Sequence, residues 1–181
     1  MITFVEDLYS VICRRKCGPH YLHSLIQPQI RHLEIQPGTI HHAISFLQER
    51  CRGLQSLVLC GSTHMNPELF IPVFKHFPAL VKIDLSDNVM DDRSFDNIGA
   101  TCHVLRYLNV SRSTISDLGL RFLSRSNQNV PRCQLLVYIN LQKCRITKKG
   151  VASFIYYHPL LQNVVYEDTV GASYQLTELG Q

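Results

Sequence analysis

A short frame of apolar residues recurs along this chain, and its clearest copy lies between Leu80 and Asn88. The copy has the form Leu-x-x-Ile-x-Leu-x-x-Asn, where x is any residue. Ile83 and Leu85 are two residues apart, so both side chains leave the same face of a short β-strand. Asn88 follows where the chain must turn, and its side-chain amide can bond backbone groups that no neighbouring strand reaches. The frame therefore predicts a strand with one buried face that ends in a turn.

The spacing of the copies limits the fold more than any single copy does. Successive copies begin 24, 26, 25, 31 and 25 residues apart. All but one of these intervals lie within about 20–29 residues, the usual length of a leucine-rich repeat. The sequence therefore predicts an α/β leucine-rich-repeat solenoid, a short horseshoe arc with a parallel concave β-sheet and helices on its convex side. The six copies begin at Ile30, Leu54, Leu80, Leu105, Leu136 and Leu161.

The segments outside the copies are expected to cover the ends of the arc. Phe4, Leu8, Val11 and Ile12 have helical spacing, so an amphipathic helix is predicted before the first copy. Such a helix would cover the apolar end that a first repeat exposes. The predicted organisation is an N-terminal helical cap at 1–29, six repeats at 30–169 and a C-terminal cap or tail at 170–181.

The segments between the copies carry apolar residues at helical spacing. After the third copy, Phe95 and Ile98 mark a helix, and we expect Asp92 to cap its N-terminus. The one long interval places its extra residues in a loop at 124–133, which is polar and contains a proline. Insertions in repeat proteins often make contacts, so this loop is either a contact site or a tolerated excursion.

Composition supports one folded domain without a membrane segment. Of the 181 residues, 45% are hydrophobic, and the net charge of +4 permits acidic partners without demanding nucleic acid. No apolar run approaches the roughly 20 residues of a membrane-spanning helix, and the N-terminus lacks the pattern of a secretory signal. The seven cysteines are odd in number and scattered. They suit reduced thiols, so we expect a cytoplasmic or nuclear protein.

One cluster near the N-terminus combines residue types that bind metals. These types suit zinc, but their spacing differs from the usual zinc-finger pattern, and a Gly-Pro pair redirects the chain between the cysteines and the histidines. We therefore expect no metal and no other cofactor. The cluster consists of Cys13, Cys17, His20 and His23.

Three cysteines and two glycine-containing motifs indicate a particular kind of repeat. Cys51, Cys102 and Cys133 each lie three residues before a copy of the frame, where a thiol serves as a small buried packing group. Two turns lead into similar motifs, Ile-Ser-Asp-Leu-Gly-Leu at 115–120 and Ile-Thr-Lys-Lys-Gly-Val at 146–151. The two motifs, together with Cys51 and Cys102, resemble the cysteine-containing leucine-rich repeats of F-box substrate receptors and antagonist-of-mitotic-exit-network proteins. The resemblance implies recruitment of a substrate protein to a ubiquitin ligase, with a cullin-ligase adaptor as a second partner.

The residues that flank the buried pair on each strand are expected to point to the concave face. Tyr107 and Tyr138 are adjacent in one such column, and tyrosine offers a large contact area with a polar tip. Amides and charges flank them, a combination that suits recognition of a protein. The alternative is that these positions are an ordinary solvated strand face. The predicted partner-binding residues are Lys82, Asp84, Tyr107, Asn109, Tyr138 and Asn140.

The sequence thus predicts a protein–protein interaction module that binds a partner on its concave face, and the resemblance adds a role in substrate recognition for a ubiquitin ligase. The alternative is a structural or assembly scaffold with no ligase link. An enzyme is not predicted, because no nucleophile–base set and no phosphate-binding glycine loop emerges. Nucleic-acid binding is not predicted either, since the concave columns offer only Lys82 and His32 rather than a continuous basic stripe.

Overall fold

A single sheet of eight strands organises the protein in a computed structural model. The structure describes residues 10–13, 27–35, 47, 49–61, 74–125, 128–167 and 173–177. Strands that are neighbours in sequence are neighbours in the sheet. The first seven pair in parallel, and the eighth is antiparallel to the seventh. The strands are β1 (Ser10–Cys13), β2 (His32–Ile35), β3 (Ser56–Val58), β4 (Lys82–Asp84), β5 (Tyr107–Asn109), β6 (Tyr138–Leu141), β7 (Asn163–Glu167) and β8 (Ser173–Thr177).

The parallel register stacks the apolar positions of the frame on one another. Leu57, Ile83 and Leu108 pair in successive strands, and all three are buried. The last apolar position of the frame is buried as well, as at Leu85. Because every repeat buries the same positions of the frame, these side chains form one continuous hydrophobic cluster along the arc. Each repeat thus buries its apolar face only against its neighbours.

Helices lie between successive strands and complete the core. Each begins after a residue whose side chain accepts a hydrogen bond from a backbone N–H of the first turn, namely Asp91, Ser116 and Thr147. Phe95 and Leu120 are buried members of their apolar stripes. The predicted leucine-rich-repeat fold is confirmed. No helix of the described residues has the length and hydropathy needed to cross a bilayer. The helices whose two ends both lie in the described part of the chain are α1 (Asp92–Thr101), α2 (Asp117–Ser124) and α3 (Lys148–Tyr156).

On the helix side, carboxylates link one repeat to the next. The Asp92 carboxylate accepts hydrogen bonds from the backbone N–H and the hydroxyl of Ser116, at 2.8 and 2.7 Å. The Asp117 carboxylate accepts the equivalent pair from Thr147, at 2.9 and 2.6 Å. The expectation that Asp92 caps α1 is therefore wrong by one residue: Asp91 is the cap. Adjacent side chains point in different directions, so Asp92 is turned to the following repeat.

Two glycines make room for these carboxylates. A Cβ atom on Gly119 would lie 2.5 Å from Asp92 Oδ1, and one on Gly150 would collide with the Asp117 carboxylate. The glycine of each motif, at 115–120 and 146–151, therefore accommodates the aspartate of the preceding repeat. The need for space beside these carboxylates explains why each motif contains a glycine, which the sequence alone does not reveal.

Asn88 holds the turn after β4. Its side-chain amide donates hydrogen bonds to the carbonyl oxygens of Leu59, in the preceding repeat, and of Leu85. The prediction that this amide bonds backbone groups is confirmed, and the residue is buried. Cys144 occupies the same place two repeats later, and its thiol donates to the carbonyl oxygen of Val110 at 3.3 Å. A thiol thus makes the link to the preceding repeat that the amide makes at Asn88.

The structure corrects the expected N-terminal helical cap. β1 pairs in parallel with β2, with Val11 opposite Leu33, so the helix predicted from the spacing at 4–12 is wrong where β1 lies. Leu8, Val11 and Cys13 have the spacing of the frame itself. The first two apolar positions of the frame are three residues apart, a spacing that also fits a helix. Pairing with β2 shows that this segment is a strand. The rest of the predicted cap lies mostly outside the described residues.

At the other end, β8 packs on the edge of the sheet. Tyr174 and Leu176 contact the hydrophobic core, and the Tyr174 ring stacks on Tyr166 with centroids 5.0 Å apart. Lys148 occupies the position that Asp117 has in the preceding helix. Its Nζ atom lies 4.6 Å from the Tyr174 ring centroid, a cation–π contact. Within 170–181, the described residues thus form a strand that covers the last repeat.

The loop predicted at 124–133 turns back on itself and contacts α1. Arg125 and Pro131 form an antiparallel bridge. Asn129 has a φ of 61°, a left-handed conformation that asparagine tolerates. The Arg132 guanidinium lies 2.6 Å from Asp96 Oδ1. The described part of this loop is therefore fastened to the helix side of the arc.

Candidate functional site

The predicted partner-binding residues all lie on the sheet face opposite the core. We call this surface the open face. The parallel register brings Lys82, Tyr107 and Tyr138 into one column. The neighbouring column contains Asp84, Asn109 and Asn140. The six residues come from β4, β5 and β6, so the structure gathers all of them.

The two tyrosines form a contacting pair at the middle of the open face. The ring centroids of Tyr107 and Tyr138 are 6.4 Å apart, and the ring planes are tilted by 35°. Tyr107 is 45% exposed, which is high for so large an aromatic side chain. The pair offers a continuous aromatic surface whose rings are already held against each other. Rigid aromatic side chains of this kind bind a partner with little loss of conformational entropy.

Lys82 adds one positive charge beside the tyrosines. Its side chain is exposed and forms no hydrogen bond or ion pair with a described residue. Two strands away, His32 Nδ1 lies 2.7 Å from the Ser56 hydroxyl. Burial, aided by the charge of Lys82, lowers the pKa of His32, which keeps this imidazole neutral near pH 7. Lys82 is therefore the charged member of this column.

Asp84 is fully engaged in hydrogen bonds within the protein. Its Oδ1 atom accepts from the backbone N–H of Ser86 at 3.0 Å and from the Cys60 thiol at 3.3 Å. Its Oδ2 atom accepts from the Asn109 amide at 3.0 Å. Cys60 and Ser86 are the residues that sequence reasoning left out of the site. The period of the frame placed them beside Asp84, but nothing in the sequence indicated that they would bond to it.

Asn109 and Asn140 follow Asp84 in this column, and they differ in the hydrogen bonds of their side-chain amides. Asn109 Oδ1 accepts from the backbone N–H of Ser111 at 3.2 Å, and Asn140 Oδ1 accepts from that of Gln142 at 3.0 Å. These are local turns in which a side chain bonds the backbone two residues on. The Asn109 amide donates to Asp84, whereas the Asn140 amide donates to no described residue. Asn140 therefore presents donors that a partner can use, next to Tyr138.

The described cysteines are protonated thiols rather than nucleophiles. Burial, with the nearby Asp84 carboxylate, raises the pKa of Cys60 to about 11. Burial raises the pKa of Cys102 to about 11 and that of Cys133 to about 12. Because the thiolate is the reactive form, these groups are unreactive near pH 7. The interpretation of Cys102 and Cys133 as buried packing groups is confirmed.

Metal binding is not indicated by the described part of the chain. No group of three or more His, Cys, Asp or Glu side chains there could hold a metal ion. In the cluster considered for zinc, the backbone of the first cysteine ends β1, and the other three residues lie outside the described part of the chain. The members of the cluster are Cys13, Cys17, His20 and His23.

These repeats and their polar columns define a leucine-rich-repeat protein. Residues 18–173 match the family described as "FBD-associated F-box protein At5g56370, LRR repeats", and the chain belongs to that family. A crystal structure of a protein from Bacteroides fragilis is similar in fold, with a TM-score of 0.52 and 18% sequence identity. The likeness covers 84% of this chain and 45% of that chain. No curated protein matches the sequence significantly.

Proposed function

We propose that this protein is an interaction module that binds a partner protein on the open face, the predicted concave surface. The observation that carries the proposal is the contact between Tyr107 and Tyr138, with Tyr107 45% exposed. Tyrosine is enriched among the residues that dominate binding at protein interfaces. Lys82 and the Asn140 amide supply polar groups beside the rings. Asp84 and Asn109 contribute mainly by holding this surface in place.

The partner that we propose is a substrate protein of a ubiquitin ligase. Membership in a family of repeats from an F-box-associated protein supports this role. So does the resemblance to the cysteine-containing repeats of F-box substrate receptors and antagonist-of-mitotic-exit-network proteins, through Cys51 and Cys102. In this role a cullin-ligase adaptor is a second partner. The competing proposal is a scaffold that binds protein partners without an adaptor.

The same resemblance and the cysteine chemistry support a location in the cytoplasm or nucleus. The five cysteines that the structure describes as free thiols are Cys51, Cys60, Cys102, Cys133 and Cys144. Free thiols persist in reducing compartments, where ubiquitin ligases also act. The proposal assigns no catalytic residue, no cofactor and no nucleic acid or membrane partner to this chain.

The test is affinity purification of the chain from native lysate, followed by mass spectrometry. The double variant Tyr107→Ala, Tyr138→Ala removes the aromatic pair. The matched control is Tyr156→Ala, because Tyr156 is 80% exposed but lies on α3, away from the open face. We expect the double variant to weaken partner binding about 30-fold, the size of a lost interface hot spot, and the control to leave it unchanged.

The outcomes separate the two proposals. Recovery of a cullin adaptor together with a second protein, with only the second protein lost in the double variant, supports a substrate receptor. Loss of a partner without any adaptor supports the scaffold. If the partners are the same with the wild-type chain and the double variant, the open face is not the binding surface.

A further inference from the structure

A second surface lies on the helix side, between α2 and α3. A groove of about 320 Å³ separates the two helices. Buried Leu120 and Phe154 contribute its apolar lining, and Arg121, Arg125 and Lys149 contribute positive charge. The groove faces away from the open face and shares no residue with it. The groove is therefore a second candidate binding surface, separate from the open face.

The groove carries an excess of positive charge that the protein itself does not neutralise. Asp117 is the one acidic residue among those that line it. Both oxygens of that carboxylate accept hydrogen bonds from Thr147. Arg121 and Lys149 are exposed, and neither side chain forms a hydrogen bond or an ion pair with a described residue. Arg121 and Lys149 lie on different helices that line the groove, and with Arg125 they outnumber the single carboxylate of Asp117 by two charges.

The third cation is already fixed in place. The Arg125 guanidinium lies 4.0 Å from the ring centroid of Tyr157, a cation–π contact that joins the end of α2 to the end of α3. Arg125 also donates a hydrogen bond to Asn129 in the adjacent loop. This end of the groove is therefore shaped before any ligand arrives, which lowers the cost of binding.

We propose that this groove binds an acidic segment of a partner protein. Carboxylates of the segment face Arg121 and Lys149, and an apolar side chain between them occupies the space above Leu120 and Phe154. The charge of the groove selects the segment, since arginine and lysine recognise anionic side chains through charge-assisted hydrogen bonds. The site is independent of the open face, so one chain can hold two protein segments at once.

The experiment measures fluorescence anisotropy of a labelled peptide in which glutamates flank leucines, titrated with the full chain. Its counterpart has glutamine in place of each glutamate. We expect only the glutamate peptide to bind, and to bind more weakly as salt is raised. Arg121→Gln with Lys149→Gln should lower its affinity about ten-fold, the effect of two exposed ion pairs. Arg121→Lys, which keeps the charge, should retain most of the affinity.

The matched control removes one arginine and one lysine elsewhere on the helix side. Arg93→Gln with Lys75→Gln changes the net charge equally, at exposed positions outside the groove. We expect this variant to bind as the wild-type chain does. Equal weakening by the control pair, equal binding of the glutamine peptide, or no binding at all overturns the proposal. Loss of binding in the Tyr107→Ala, Tyr138→Ala variant would also overturn it, since the peptide would then occupy the open face.

Discussion

Two columns of polar side chains run along the arc on opposite sides of the core, and they use similar hydrogen bonds to different effect. On the helix side, both oxygens of Asp117 accept from Thr147 in the next repeat. On the open face, Asp84 accepts from Asn109, but the column ends at Asn140 with unused donors. A side chain whose hydrogen-bonding capacity is consumed between repeats holds the repeats together. A side chain with capacity left over is available to a partner.

The largest effect is expected on the helix side. Asp117→Ala removes two charge-assisted hydrogen bonds and leaves the backbone N–H of Thr147 without its partner. We expect the free energy of unfolding to fall by about 2–3 kcal/mol. Urea unfolding followed by circular dichroism measures this change. The control is Glu49→Ala, an exposed carboxylate, which should alter stability by less than about 0.5 kcal/mol. Equal losses in the two variants would mean that the link between repeats contributes nothing.

A smaller effect is expected on the open face. Asp84→Ala removes hydrogen bonds from Ser86, Cys60 and Asn109. Asp84 and Asp117 are both half-buried, but the Cys60 thiol is a weak donor. The groups released from Ser86 and Asn109 lie on the solvent-facing side of the sheet, where water can replace the carboxylate, so we expect a decrease of about 1 kcal/mol in the free energy of unfolding. The same urea titration measures it. A loss as large as that of Asp117→Ala would erase the distinction between the two columns.

The remaining prediction concerns a buried thiol, whose effect is absent at neutral pH and appears only at alkaline pH. Burial raises the pKa of Cys133 to about 12 in the folded protein, above that of an ordinary cysteine near 9. Between these values the unfolded chain has lost a proton that the folded protein keeps. The stabilisation by this group is therefore complete below about pH 9 and is lost as pH rises through about 12.

Unfolding of the wild-type chain and of Cys133→Ala, compared from pH 8 to pH 10.5, isolates this contribution. We expect stability to fall less steeply with pH in the variant, although the variant is less stable throughout because of the cavity it creates. Identical slopes in the two proteins would show that the Cys133 thiol does not resist ionisation. The half-buried Cys60, in contact with Asp84, is the natural comparison for the same measurement.

Much of the fold follows from local patterns. The frame placed β2 to β7 correctly because alternation of apolar residues reports directly which face of a strand is buried. The pattern failed at β1, since Leu8 and Val11 fit both a helix and the frame. It also named Asp92 instead of Asp91 as a helix cap, because both carboxylates satisfy the local preference and only the position of Ser116 distinguishes them.

The positions of the six predicted residues on the sheet were predictable from the sequence, but the roles of these residues and the bonds that Cys60 and Ser86 make to Asp84 were not. The period of the frame alone placed Tyr107 beside Tyr138 and Asp84 beside Asn109. Asp84 is fully bonded and the Asn140 amide donates to no described residue because of which donors and acceptors the neighbouring strands bring within reach. The groove of Arg121 and Lys149 was not predicted, because it depends on the separation of two helices rather than on any sequence period.

The sequence by itself thus determined the repeat, strands β2 to β7, their buried positions and the face on which the tyrosines lie. These features follow from the spacing of apolar residues, which is present within every repeat. The tertiary structure alone decided which polar groups are consumed, since their partners are 24 to 36 residues away, as in Ser116 with Asp92 and Arg132 with Asp96. Such bonds depend on how closely one repeat stacks on the next, a distance that packing of the whole core sets and that no local pattern encodes.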